Sequence, residues 1–229
     1  MLFRSKVVTV PLRQTGSQGV VLLHGIAGRS LFLKKLERAL QRSQFATLNL
    51  DYQSRRKSLD ALAADIHPDV ERFVCNIDGP VHFVGHSMGG LLTRVYLAKH
   101  RPIKLGRVVM LGTPNGGSEV ADLLKDLALY RSFFGPAGLQ LTTDQDATLR
   151  SLPPVDYELG IVAGCRSIAP ISSLFILPRP NDGKVSVDRT RLDGMTDHVV
   201  VKTSHFGLMR HPATIEQTIA FLHAGLFKS

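Results

Sequence analysis

The residues with the clearest chemical potential are Gly85-His86-Ser87-Met88-Gly89-Gly90. A serine with glycine two residues to either side follows the apolar run Val81-His82-Phe83-Val84 and precedes Leu91-Leu92-Thr93-Arg94-Val95. That order reads as strand, tight turn and helix. Such a turn holds the serine in a strained backbone conformation, lifts its hydroxyl out of the sheet, and needs glycines for strand and helix to approach. The helix beyond it presents free N–H groups and the positive end of its dipole to developing negative charge. A serine so placed acts as a nucleophile once a neighbouring base takes its proton. The plainer alternative is a glycine-flanked turn in which Ser87 caps the helix.

A base, an acid and two oxyanion donors complete that chemistry, and the strand pattern says where to look for them. Gly19-Val20-Val21-Leu22-Leu23, Phe45 to Leu50, Arg107 to Gly112, Tyr157 to Gly164 and His198 to Thr203 read as further strands, several of them continuous apolar runs. Runs of that kind suit strands buried on both faces of a parallel sheet. Helical spacing between them (Leu33, Leu36 and Leu40 after a Ser30 cap; Leu59, Leu62, Ile66, Val70 and Phe73 from Ser58 to Cys75; a last helix from Pro212 to Phe227) predicts an α/β fold with a mostly parallel central sheet and helices on both faces. Val7 to Leu12 suits an edge strand.

Catalytic groups in such a sheet collect at the carboxyl ends of the strands. His205 directly follows the last strand and is the expected base. His198 begins that strand, about 20 Å away at ~3.3 Å per residue, and His211 opens the last helix as a weaker candidate. Asp182, in Asn181-Asp182-Gly183, is the preferred acid and Asp188 its rival, although Asn-Asp-Gly also has the composition of a plain turn. For the oxyanion, the N–H of Met88 and that of Ile26, in the loop His24-Gly25-Ile26-Ala27-Gly28, are the expected donors.

Strand–helix alternation stops over residues 119–154. This insertion carries Phe133, Phe134 and Leu139 and reads either as a satellite core or as a cap. With His24, those three side chains are expected to line the substrate site. The length suits one domain over residues 1–229. No apolar run approaches a membrane-spanning length. Two cysteines, Cys75 and Cys165, are too few for a disulfide framework and lack metal-site spacing. The N-terminal charges Arg4 and Lys6 interrupt what a signal peptide would need, so a cytoplasmic location is expected. A net charge of +9 favours encounter with anionic surfaces such as phospholipid, while scattered basic residues and the absence of tryptophan argue against a nucleic-acid partner.

Taken together, His24-Gly25-x-x-Gly28, Gly85-His86-Ser87-Met88-Gly89-Gly90, Thr113-Pro114-Asn115-x-Gly117-Ser118 and Asn181-Asp182-Gly183-x-Val185 resemble the α/β-hydrolase lipases and esterases, above all small bacterial triacylglycerol-lipase-like esterases. The likeness runs from about Val20 to Phe227. It implies the α/β-hydrolase fold and a Ser87–Asp182–His205 triad. It also implies hydrolysis of short to medium acyl esters or lipids through an acyl-enzyme, with no cofactor and no metal. An acyltransferase or thioesterase on the same triad, and a non-catalytic binding protein of the same fold, are the alternatives.

Overall fold

The computed structural model describes residues 17–117, 147–167 and 177–229. The proposed edge strand Val7 to Leu12 and most of the 119–154 insertion, including Phe133, Phe134 and Leu139, lie outside them.

Six strands form one sheet: β1 (Gly19–Leu23), β2 (Ala46–Leu50), β3 (Val81–His86), β4 (Leu105–Leu111), β5 (Leu159–Gly164) and β6 (Asp197–Val201). Their spatial order is β2-β1-β3-β4-β5-β6, and every neighbouring pair is parallel. The expected mostly parallel sheet is therefore parallel throughout its described strands. β1, β3 and β5 are buried along their whole length, which is why they read as unbroken apolar runs.

Successive side chains on a strand point to opposite faces, and this builds two cores. On one face Val21, Leu23, Phe83, Val108, Met110 and Ile161 pack under the helices α2 (Leu59–Cys75) and α3 (Met88–His100). On the other, Val20, Leu22, Val84, Val109, Leu111 and Val162 meet α1 (Lys34–Arg42) and the last helix, α6 (Pro212–Ala224). Two short helices, α4 (Ala147–Arg150) and α5 (Val187–Thr190), complete the described set.

Two local expectations change. Ser30 does not cap α1. It opens a 3-10 turn (Ser30–Leu33), and its N–H and hydroxyl donate to Asp51 Oδ1 and Oδ2 at 2.7 and 2.9 Å. An ionised carboxylate at the end of β2 thus offers Ser30 a stronger partner than a helix terminus does. The last helix stops at Ala224 and not near Phe227, because Gly225 takes φ +78° and turns its N–H back to the Phe221 carbonyl at 2.8 Å. Ser58, in contrast, caps α2 by accepting the Ala61 N–H at 3.3 Å. Among the described residues no helix is long and apolar enough to cross a membrane.

Candidate active site

Ser87 stands between β3 and α3 with φ 54° and ψ −125°, a conformation L-residues rarely adopt. Three bonds hold it there. Its N–H donates to the Leu111 carbonyl at 2.9 Å, and its carbonyl accepts the Gly90 N–H at 2.9 Å and the Thr113 hydroxyl at 3.1 Å. The flanking glycines are a packing necessity. A Cβ on Gly85 would lie 2.5 Å from the Gly90 nitrogen, and one on Gly89 would lie 2.2 Å from the Leu23 carbonyl oxygen. The Ser87 side chain makes no capping bond to α3, so the turn does not exist to cap the helix.

Across the carboxyl edge of the sheet, His205 Nδ1 donates to Asp182 Oδ2 at 2.7 Å, and both groups are buried. The other carboxylate oxygen, Oδ1, accepts the N–H groups of Lys184 and Val185, each at 2.9 Å. The His205 N–H donates to the Asp182 carbonyl at 2.9 Å, so backbone and side chains register the two residues together. This leaves His205 Nε2 as the free, proton-accepting nitrogen of the neutral ring. The end of β4 joins the pair to Ser87: Leu111 receives the Ser87 N–H, and a Cβ on the next residue, Gly112, would lie 3.1 Å from Asp182 Oδ2 and 3.3 Å from His205 Nδ1. No hydrogen bond joins the Ser87 hydroxyl to His205 here, a looseness common before substrate tightens a site.

The rival residues lie elsewhere. Asp188 is exposed on α5, where its charge acts on His198. His198 bonds Thr190 Oγ1 through Nε2 at 3.0 Å. His211 sits at the N-terminus of α6 with its buried Nδ1 unpartnered.

As the first residue of α3, Met88 has an N–H without a partner inside the helix. Ile26 occupies the loop after β1, which runs against Ser87: a Cβ on Gly25 would come within 3.0 Å of Ser87 Cβ. His24, expected to line the substrate site, is instead 1% exposed beneath that loop. Its Nδ1 donates to the Gly25 carbonyl at 2.8 Å and its ring stacks on Tyr52 with centroids 4.0 Å apart. Burial holds its pKa below the usual histidine value. Phe133, Phe134 and Leu139 lie outside the described residues.

Two supports were not assigned a role from sequence. His86, next to Ser87, donates from Nε2 to the His205 carbonyl at 3.0 Å, with the rings 4.9 Å apart. Burial, followed by the neighbouring His205, pushes its pKa down to about 3, so it stays neutral. Asn115 donates to the Thr190 carbonyl at 2.8 Å and Arg189 to the Gly116 carbonyl at 2.9 Å, tying the loop after β4 to the helix that follows the acid. The His-Ser pair and the Thr113-Pro114-Asn115 loop, both at the carboxyl edge, were the available signals.

Residues 19–151, more than half of the chain, match the family described as alpha/beta hydrolase fold. A triacylglycerol lipase of Pseudarthrobacter phenanthrenivorans and one of Burkholderia plantarii are each 36% identical over alignments covering 31% of this chain. Those alignments span only 27% and 24% of the two lipases. The mature Bacillus licheniformis lipase BlEst2 superposes with a TM-score of 0.67 at 20% identity, covering 94% of this chain and 95% of that one, a likeness of fold.

Proposed function

Because the chain belongs to the alpha/beta hydrolase fold family, we propose that it is a carboxylic ester hydrolase of the lipase and esterase kind, acting through an acyl-enzyme. His205 Nε2 takes the Ser87 proton as the serine oxygen attacks the ester carbonyl. The N–H groups of Ile26 and Met88 hold the resulting oxyanion, worth roughly 2.7–4 kcal/mol per donor. The tetrahedral adduct collapses as His205 returns the proton to the leaving alcohol. A water, activated by the same nitrogen, then releases the acid and restores Ser87. Asp182 keeps the proton of neutral His205 on Nδ1 and stabilises the imidazolium without taking that proton itself.

The observation that carries this reading is the 2.7 Å bond between His205 Nδ1 and Asp182 Oδ2, set beside a serine held at φ 54°. The partial likeness to two triacylglycerol lipases supports an ester or lipid substrate, and short to medium acyl chains are the expected range. The net charge of +9 supports a weak, salt-sensitive attraction to anionic lipid surfaces. Turnover of p-nitrophenyl esters from acetate to palmitate tests the reading. An optimum at short or medium length is expected, and a protein inert toward every ester in the series would contradict it.

A further inference from the structure

The oxyanion donor assigned to Ile26 belongs to the Gly25–Ile26 peptide, and what aims that peptide lies in the segment that follows the neighbouring strand, β2. The peptide is trans, since the cis bond among the described residues is Arg179–Pro180. In a planar trans peptide the C=O and the N–H point in opposite directions, so gripping one fixes the other. The Gly25 carbonyl is gripped twice, by His24 Nδ1–H at 2.8 Å and by the Gly28 N–H at 3.0 Å. The Ile26 N–H therefore points away from the His24 ring.

His24 is in turn held by the segment after β2, the strand that pairs with β1. The Tyr52 N–H approaches His24 Nε2 at 3.5 Å, which matches an acceptor there and the proton on Nδ1. The Tyr52 ring stacks on the imidazole within 8° of parallel, and its hydroxyl donates to the His24 carbonyl. Two residues on, the buried Ser54 Oγ accepts the Ala27 N–H at 3.0 Å. Ala27 has φ +55°, a left-handed conformation that is strained for a non-glycine residue and persists only when its surroundings impose it.

We propose that Tyr52 and Ser54 are positioning residues of this site, acting through His24 and Ala27 to aim the Ile26 N–H at the oxyanion. The inference rests on the hydrolase reading above. Neither side chain touches substrate. Tyr52 fixes the ring that grips the Gly25 carbonyl, and Ser54 fixes the strained residue that follows Ile26. A loop held this way is organised before substrate arrives, which is what oxyanion stabilisation requires.

The test uses Tyr52→Phe, which keeps the stacked ring, Ser54→Ala, the double variant and Ser87→Ala. Each is measured for kcat and KM on a p-nitrophenyl ester, for inhibition by an alkyl trifluoromethyl ketone (a mimic of the tetrahedral adduct) and for its thermal midpoint. Losing a donor outright costs about 10²–10³ in kcat, so a misaimed one in the double variant is expected to cost roughly tenfold. KM should stay within about twofold, and the ketone should bind weaker by the same factor as kcat falls. Unchanged kcat and ketone affinity in a double variant, beside an inactive Ser87→Ala, would overturn this inference alone. So would a loss of kcat with the ketone still bound at full strength. Equal turnover by wild type and Ser87→Ala would overturn the hydrolase reading and this inference with it.

Discussion

Asp182 and His205 are joined twice, by the carboxylate to Nδ1 at 2.7 Å and by the Asp182 carbonyl to the His205 N–H at 2.9 Å. The remaining oxygen, Oδ1, is occupied by the Lys184 and Val185 N–H groups. The carboxylate therefore has a fixed orientation, with one oxygen for its own loop and one for the imidazole.

That division decides what Asp182→Asn would do. The amide oxygen must face the two backbone donors, which leaves the NH₂ group facing His205 Nδ1. An NH₂ donor there forces the ring proton onto Nε2, the nitrogen that should receive the Ser87 proton. A fall in kcat on the order of 10⁴ is expected with the loop bonds preserved. Steady-state kinetics beside a thermal melt check this, and a variant that keeps most of its kcat would contradict it.

Gly89 is where stability and site meet. A methyl at Gly89 would lie 2.2 Å from the Leu23 carbonyl oxygen and 2.7 Å from that of His24. These are backbone atoms of β1 and of the loop behind the oxyanion donor. Gly89→Ala is expected to destabilise the protein by about 1–3 kcal/mol or more through overpacking, read from the urea midpoint. An unchanged midpoint would show that α3 can shift at no cost.

Acid should destabilise the fold through its buried histidines. Burial, followed by His205, pushes His86 down to about 3, and burial, followed by Arg107, pushes His82 down to about 4, both from 6.5. Below pH 6.5 the unfolded chain binds protons that the folded chain refuses, so stability falls as pH drops from 6.5 toward those values. Each residue contributes at most about 1.4 kcal/mol per pH unit, and the contribution vanishes above 6.5. Urea unfolding at pH 7.5, 6 and 5 should give a midpoint that falls slightly over the first interval and more steeply over the second. A midpoint flat across all three would contradict it.

The same residues show what could be read from the sequence. The strands were legible because a parallel sheet covered on both faces leaves β1, β3 and β5 no polar side to show. The Ser87 turn was legible because close approach of β3 and α3 demands glycine at 85 and 89. Asp182 carried two readings, a plain turn and an acid facing a base, and its two oxygens satisfy both. His24 misled because its type and place suited substrate contact. Its partner Tyr52 becomes a neighbour only when β2 pairs with β1. Ser30 misled for the same reason, since Asp51 reaches it across that pairing. The Ser30–Asp51 and His24–Tyr52 contacts, made across the β1–β2 pairing, left no mark in the local sequence.

Covalent labelling reads out whether Ser87 is a nucleophile activated by His205. Wild type, Ser87→Ala and His205→Ala would be treated with a fluorophosphonate and the modified peptide identified by mass spectrometry. One adduct on Ser87 in wild type, none in Ser87→Ala and greatly slowed labelling in His205→Ala is the expected result. No adduct in wild type, or an adduct that persists in Ser87→Ala, would contradict it.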